Sequence, residues 1–314
     1  MDGRIATIII PTCKRVKLLR AQLARLGCGL DPQRVGVLVL DGSAEEAEAN
    51  AESCRAHPFV IYRHFEPELN VFDRIFTGLL SVNTRYASVL ADDDTLSLDA
   101  HSACIDFLEA NKSYIGAAGR FYVYLDRPDS KAQLTGYVYD SPSFEEDSQL
   151  ARLRGFLKNS NVGLFIYGVI RTPFLKVMAK ACLECPEPLD QLAKELLYAC
   201  VPCVLGKFSR LSNDYYGRNK SYTPSGSFSQ QLNVYASNPC LASDVKYVMH
   251  PRFSNIYGAI KQIIYSHVDA AEGSPEHIRD HMDESFFLNL LIRIREDPVF
   301  LKLWRQEMGT NYLA

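Results

Sequence analysis

The sequence has no strong excess of charge of either sign. Its 34 lysine and arginine residues nearly balance its 37 aspartate and glutamate residues, which leaves a formal net charge of −3. The basic residues are also scattered, whereas a nucleic-acid-binding protein gathers them into a patch that meets the phosphate backbone. The composition therefore predicts that nucleic acid is not the partner.

Long apolar runs are also lacking. No stretch approaches the roughly 18 apolar residues of a membrane-spanning helix, and the first residues do not have the pattern of a secretory signal. We therefore expect a cytoplasmic protein. One apolar stripe, from Phe286 to Trp304, also contains arginines and lysines. It predicts core packing, a homodimer contact, or a peripheral contact with the inner face of the membrane.

The nine cysteines do not predict disulfides. They are odd in number and spread over 314 residues, which is typical of reduced thiols. Two pairs, Cys182 with Cys185 and Cys200 with Cys203, have the internal spacing of zinc ligands and enclose 14 residues. A helix-like spacer would hold the pairs about 20 Å apart. Zinc binding and simple burial of small thiols both remain open.

The first hundred residues alternate between apolar strands and helical patterns. Continuous apolar strands that alternate with helices predict a parallel sheet covered on both faces. We predict an α/β fold with a Rossmann-like, mostly parallel sheet flanked by helices. The predicted strands are residues 4–10, 35–40, 60–65 and 86–91. Ser43 and Glu46 also have the spacing of a capping box at the start of a helix.

Two units are predicted along the chain. Residues 1–228 form the main domain, which has one half at 1–115 and a second at 116–228. Residues 229–314 form a mainly helical C-terminal extension.

Polar residues follow three of the predicted strands. Thr12 and Arg15 follow the first, Asp41 the second, and Asp92-Asp93-Asp94 the fourth. Because ligands of parallel sheets bind beyond the carboxyl ends of the strands, these loops are predicted to converge on one crevice.

The acidic triplet predicts a divalent metal site. Adjacent carboxylates raise each other's pKa unless a cation neutralises them. Asp92 and Asp94 alternate along the chain and could reach one Mn²⁺ or Mg²⁺, which would stabilise a departing diphosphate. The alternative is a solvated turn in which Asp93 or Asp94 caps the next helix.

Three motifs together resemble a known family. Their order is TIIIPTCKR, then VLVLDGS, then YASVLADDD, and this is similar to the family 2 type of nucleotide-sugar glycosyltransferases, which have the GT-A fold. The resemblance covers residues 5–100 closely and 160–225 loosely, and it implies that the half at 1–115 binds the nucleotide-sugar and the half at 116–228 the acceptor. It implies that Pro11, Thr12 and Arg15 line the nucleotide, and that Asp41 hydrogen-bonds the base. Further implied contacts are Arg74 at the base or phosphates, Asp92 and Asp93 at the ribose and donor sugar, Asp94 at the metal with Asp92, and Arg218 at the phosphates.

The catalytic base is assigned from the segment before a Gly-Lys strand. Inverting transfer needs a carboxylate that accepts the proton of the acceptor hydroxyl. The resembled family places a Glu-Asp pair at the start of the preceding helix, and this sequence has no such pair there. Asp190 is the first candidate and Glu195 the second, with solvent-facing helix residues as the alternative.

The sequence therefore predicts a metal-dependent, inverting glycosyltransferase. Its donor is expected to be a nucleoside diphosphate sugar, with UDP the commonest choice, and its acceptor a glycan, a lipid-linked saccharide or a protein. The alternatives are a nucleotidyltransferase, for which PTCKR lacks the usual glycine-rich loop, and a noncatalytic nucleotide- or glycan-binding module.

Overall fold

The computed structural model describes residues 3–127, 130–138, 142–159, 162–186, 189, 191–219 and 251–269. Within them the chain forms one mixed sheet with helices packed around it. The strands are β1 (Ala6–Thr12), β2 (Val35–Asp41), β3 (Val60–His64), β4 (Tyr86–Val89), β5 (Thr95–Leu96), β6 (Tyr114–Arg127), β7 (Ser130–Val138), β8 (Val169–Arg171) and β9 (Lys207–Asn219).

Most strands of this sheet point in one direction. Their spatial order is β3-β2-β1-β4-β8-β6-β9-β5, with β7 paired to β6. β1 is parallel to β2 and β4, and β2 is parallel to β3. β8 is antiparallel to both β4 and β6, and β6 is parallel to β9, so β6 and β9 run the same way as β1. Six of the nine described strands thus share one direction, which confirms the predicted fold class.

Helices flank the sheet. They are α1 (Val16–Gly27), α2 (Ala47–Arg55), α3 (Val71–Leu80), α4 (Leu98–Ala110), α5 (Gln149–Asn159), α6 (Val162–Tyr167), α7 (Thr172–Leu183), α8 (Gln191–Leu205) and α9 (Pro251–Tyr265). Strands β1, β2 and β4 are buried along nearly their whole length, as expected of strands covered on both faces, whereas the edge strand β3 is partly exposed.

The N-terminal caps of α2 and α3 differ from each other. The predicted capping box at Ser43 is wrong: α2 starts after Glu46, with no side-chain cap bond. The Ser43 hydroxyl donates instead to Asp41 Oδ1 at 2.6 Å, because a buried carboxylate is the stronger acceptor. α3 does have a side-chain cap, since Asn70 Oδ1 accepts a hydrogen bond from the Phe72 amide at 2.8 Å.

Helix α8 packs across α3 and ends on a buried arginine. The Tyr198 ring lies against Phe72 and Phe76, with ring centroids 6.4 and 6.1 Å apart. Lys194 pairs with Asp73 at 2.7 Å across the same interface. At the other end of α8, Arg152 donates to the carbonyl oxygens of Cys203 and Val204, at 2.9 and 2.7 Å. These bonds satisfy acceptors that the end of a helix leaves open.

The cysteines of the two CxxC pairs lie mostly in the core. Cys182, Cys200 and Cys203 are buried and Cys185 is half-buried, and burial raises the pKa of all three buried thiols. Cys200 and Cys203 are both within α8 and Cys182 is in α7. Among the residues described, no group of three or more His, Cys, Asp or Glu side chains is arranged to hold a metal ion.

The predicted C-terminal extension is described only over residues 251–269. There α9 packs on α8 through the buried residues Ala259, Ile260 and Ile264. The predicted boundary at residue 228 and the stripe from Phe286 to Trp304 lie outside the described residues. None of the described helices is both long and apolar enough to cross a membrane.

A buried histidine should make the fold sensitive to acid. His101 in α4 is 2% exposed and contacts Ser88 Oγ at 3.1 Å, and burial lowers its pKa to about 4. The unfolded chain, with a histidine pKa near 6.5, binds the proton first. Stability from neutral His101 is therefore present above pH 6.5 and is lost as the pH falls towards 4, by about 3 kcal/mol.

Urea unfolding at pH 6.5 and pH 4.5 measures this loss. His101→Gln should lose distinctly less stability than the wild type over this interval. The half-buried His57 provides the control variant His57→Gln, which should keep the wild-type difference. An equal pH dependence in all three proteins would contradict the assignment.

Candidate functional site

The loops after β1, β2 and β4 meet at the carboxyl ends of these strands. The Thr12 hydroxyl donates to Asp92 Oδ2 at 2.7 Å, which joins the first and third loops. The Gly42 amide donates to the Thr12 carbonyl at 3.0 Å, and the Lys14 amide to Ser43 Oγ at 2.8 Å, which joins the first and second loops. The structure thus brings together the polar residues of the three loops at the edge where ligands of parallel sheets bind.

Arg15 places a positive charge on the acidic triplet. Its Nη1 atom donates to Asp92 Oδ1 and to Asp93 Oδ2, each at 2.8 Å. Burial nevertheless raises the pKa of Asp92, although Arg15 and Thr12 act in the opposite direction. The first two carboxylates are therefore held by groups of the β1 loop. Pro11, the other predicted residue of this loop, is half-buried in β1.

Asp94 is held by strand β9. The Tyr216 hydroxyl donates to Asp94 Oδ2 at 2.8 Å, and the Asn219 amide donates to Oδ1 at 2.9 Å. Both donors are neutral, and burial raises the pKa of Asp94 to about 6. Arg218 is close enough for its charge to oppose this rise. The structure thus places the predicted phosphate-binding Arg218 beside the predicted metal ligand.

Asp41 organises the second loop. Its carboxylate is 0% exposed and accepts four hydrogen bonds. The donors are the Ser43 amide at 2.8 Å and hydroxyl at 2.6 Å, the Asn50 side chain at 2.9 Å and the Tyr62 hydroxyl at 2.8 Å. Because both carboxylate oxygens already have protein donors, contact with a base would require this loop to rearrange. The predicted base contact of Asp41 stays a prediction.

Arg74 lies buried beneath the first two loops. It is 6% exposed, and its Nη1 donates to the Thr12 carbonyl at 2.7 Å, while its Nε is buried without a hydrogen-bond partner. Desolvation lowers its pKa, as expected of a buried cation. A Cβ atom added to Gly42 would collide with the guanidinium group of Arg74. Glycine at position 42 therefore lets the second loop lie directly on Arg74.

This close approach predicts a strong effect of one methyl group. Gly42→Ala should lower the free energy of unfolding by about 2 kcal/mol, since overpacking typically costs 1 to 3 kcal/mol. The matched control is Gly258→Ala in α9, where an added Cβ meets nothing within 4 Å. Urea unfolding of both variants measures this effect. Equal stability of the two variants would contradict the close contact.

Of the two predicted bases, only Glu195 lies in the described part of the chain. It lies in α8, and its charge acts on the Tyr167 hydroxyl together with those of Asp94 and Asp93. The Tyr167 ring stacks on Tyr216, with centroids 4.3 Å apart and planes at 25°. Burial, and then these three negative charges, raise the pKa of Tyr167. Asp190, the first candidate from the sequence, lies outside the described residues.

The triplet has the donor chemistry of a magnesium or manganese site without being a complete protein cage. No cluster of three or more ligands is found in the described part of the chain, but Mg²⁺ commonly uses one or two carboxylates together with substrate phosphates. Asp94 fits this pattern because its carboxylate is buried and its two hydrogen bonds come from neutral donors. The Asp92 carboxylate already carries the guanidinium group of Arg15 as a counter-cation.

Sequence reasoning missed the roles of Tyr216 and Tyr167. Tyr216 packs with Phe121 and Tyr167, and its hydroxyl also reaches Asp94. The contact arises from strand pairing. β9 pairs with β5, which follows the triplet directly, so that Tyr216 lies opposite Leu96. That pairing joins residues more than a hundred positions apart, which a local pattern does not reveal.

The chain has a Rossmann-like α/β fold, and solved structures share it. No protein-family model and no curated protein matches the sequence. S. aureus TarS 1–349 in complex with UDP-GlcNAc is similar over 90% of this chain and 89% of that chain, with a TM-score of 0.51 and 12% identity. Another structure of S. aureus TarS 1–349 covers 93% and 92%, with a TM-score of 0.49 and 13% identity. At such identity the similarity establishes the fold alone.

Proposed function

We propose that this protein is a glycosyltransferase that uses a nucleoside diphosphate sugar. The observation that carries the proposal is the meeting of the Thr12, Arg15 and Asp92 side chains at the carboxyl edge of β1 and β4. This edge is where sheets of this kind bind nucleotides. A buried arginine, Arg74, lies directly beneath it and adds positive charge for a diphosphate.

The comparison with TarS supports a uridine donor. The TarS structure with a TM-score of 0.51 contains UDP-GlcNAc, a nucleotide-sugar. Since the two chains correspond over about nine-tenths of both lengths, we propose that the same class of molecule binds here.

At the donor end, charges are proposed to act on the diphosphate. Arg15 and Arg218 would bind phosphate oxygens, since guanidinium groups pair well with them. A bound Mn²⁺ or Mg²⁺ would supply Lewis-acid stabilisation of the leaving diphosphate. Asp94 would hold it, with Asp92 contributing once its oxygen is free of Arg15. Asp92 and Asp93 would orient the ribose and the sugar.

On the acceptor side, Glu195 is proposed as the base. A carboxylate there would accept the proton of the acceptor hydroxyl as that oxygen attacks the anomeric carbon from the face opposite the diphosphate. Glu195 is half-buried in α8, and its charge acts on Tyr167, whose ring stacks on Tyr216. These observations support this role over a solvent-facing one. Transfer would then proceed with inversion to a glycan, a lipid-linked saccharide or a protein.

A donor panel tests the function directly. The protein is incubated with Mn²⁺ and UDP-, GDP- or TDP-sugars, and release of nucleoside diphosphate is followed together with binding by calorimetry. We expect binding and slow release with at least one UDP-sugar. Turnover of nucleoside triphosphates alone would favour a nucleotidyltransferase. Donor binding without hydrolysis or transfer to any saccharide acceptor would favour a noncatalytic module.

A further inference from the structure

Arg15 occupies the position of a cation at the triplet. A single atom, Nη1, donates to Asp92 Oδ1 and to Asp93 Oδ2, both at 2.8 Å. The remaining Asp92 oxygen, Oδ2, accepts the hydroxyl of Thr12. Both oxygens of Asp92 are thus engaged by the β1 loop. A divalent cation that used Asp92 through Oδ1 would approach the same oxygen as the guanidinium group.

The environment makes this competition strong. The Asp92 side chain is 3% exposed and that of Arg15 is 19% exposed. A buried carboxylate that loses its counter-charge is costly, so it must be protonated or take another cation. The ion pair and a metal ion therefore satisfy the same requirement, and they exclude each other at that oxygen.

The Arg15 side chain does not cap the helix that it precedes. Arg15 is the N-cap residue of α1, but its side chain makes no cap hydrogen bond. The preceding residue, Lys14, has a φ of 57°, and this left-handed turn directs the chain from β1 into the helix. Movement of the guanidinium group away from Asp92 would thus cost α1 no capping interaction.

We propose that Arg15 is an internal competitor of the divalent cation and thereby couples metal binding to donor binding. The inference rests on the proposed function, because the donor diphosphate is the anion that draws Arg15 away. Phosphate oxygens offer the guanidinium group a new charged acceptor, and the released Asp92 oxygen then becomes available to the metal. Each ligand raises the affinity for the other by the same factor, as linkage requires.

Binding of Mn²⁺ with and without UDP tests this coupling. Free Mn²⁺ is measured by electron paramagnetic resonance for the wild type and for Arg15→Gln. Without UDP, Arg15→Gln should bind Mn²⁺ about tenfold more tightly than the wild type, within the usual range of coupling factors. UDP should raise the Mn²⁺ affinity of both proteins, because its diphosphate also ligates the metal, but the gain should be about tenfold larger in the wild type than in Arg15→Gln.

Arg25→Gln is the matched control for charge. Arg25 Nη1 donates to the main-chain carbonyl of Asp94 at 3.1 Å, not to a carboxylate. This variant removes the same charge at the same triplet but releases no carboxylate oxygen, so its Mn²⁺ affinity should remain within about threefold of the wild type. Arg15→Lys should lie between the wild type and Arg15→Gln, because lysine keeps the charge at a shorter reach. The Mn²⁺ affinity of Arg15→Lys also tests the competition if Arg15→Gln does not fold.

Several results would overturn the inference. The first is that Arg15→Gln binds Mn²⁺ no more tightly than the wild type does. The second is that Arg25→Gln gains as much Mn²⁺ affinity as Arg15→Gln. The third is that no variant binds Mn²⁺, even with UDP present. The proposed function is judged separately, by calorimetric binding of UDP-sugars and by nucleoside diphosphate release from the wild type. The competition can therefore fail while the function stands.

Discussion

Asp94→Asn is expected to lower the rate of sugar transfer about 10³-fold, the loss that follows removal of a principal electrostatic contact in an active site. Asparagine has nearly the same shape but carries no charge. It also has only one oxygen to accept the two hydrogen bonds from the Tyr216 hydroxyl and the Asn219 amide. Steady-state kinetics with a UDP-sugar identified by the donor panel, and Mn²⁺ titration with UDP present, measure the effect.

The control for Asp94→Asn is removal of a carboxylate charge at the surface. Asp99 is exposed in the first turn of α4, a few residues beyond the triplet. Asp99→Asn should retain the wild-type rate. If Asp94→Asn transfers sugar as fast as Asp99→Asn while Mn²⁺ binding persists, the triplet is a structural turn and the metal site lies elsewhere.

Glu195→Gln is expected to reduce transfer by about 10³-fold while leaving donor affinity unchanged. General base catalysis typically contributes 10²- to 10⁴-fold, and glutamine cannot accept the proton of the acceptor hydroxyl. UDP-sugar binding should be unaffected, since the proposed role concerns the acceptor. A fall in kcat with an unchanged calorimetric Kd for the donor is the expected signature.

Glu184→Gln is a suitable control, because Glu184 is an exposed carboxylate at the end of α7 and pairs only loosely with Lys180, at 3.8 Å. It should behave as the wild type. The variant Asp190→Asn, made in parallel, separates the two candidates. Full activity of Glu195→Gln together with inactive Asp190→Asn would transfer the role to Asp190.

The sequence predicted the elements that depend on local pattern. Apolar runs such as Val35–Asp41 became buried strands, because continuous apolar residues fit a sheet covered on both faces. The convergence of the loops also followed from topology alone, since carboxyl ends of parallel strands meet at one edge. The positions of Thr12, Asp41 and the triplet could therefore be predicted before any contact was known.

Individual hydrogen bonds could not be predicted in this way. Ser43 has a capping-box partner in the sequence, yet its hydroxyl turns to Asp41. The burial of Asp41 depends on Asn50 and Tyr62, which come from α2 and β3. The partner of each hydrogen bond depends on which donors the folded chain brings near a desolvated carboxylate. Those donors come from several helices and strands, so a local sequence pattern does not reveal them.

The ion pair between Lys194 and Asp73 fixes the spacing of two helices. Lys194 directly precedes Glu195, and Asp73 directly precedes Arg74, so the pair joins the helix of the proposed base to the helix of the arginine beneath the donor loops. At 2.7 Å, with the lysine side chain 9% exposed, it would break if α8 slid by one helical turn, about 5.4 Å, along α3. A lone buried charge costs about 3 kcal/mol or more. The distance between these two helices is therefore expected to stay constant.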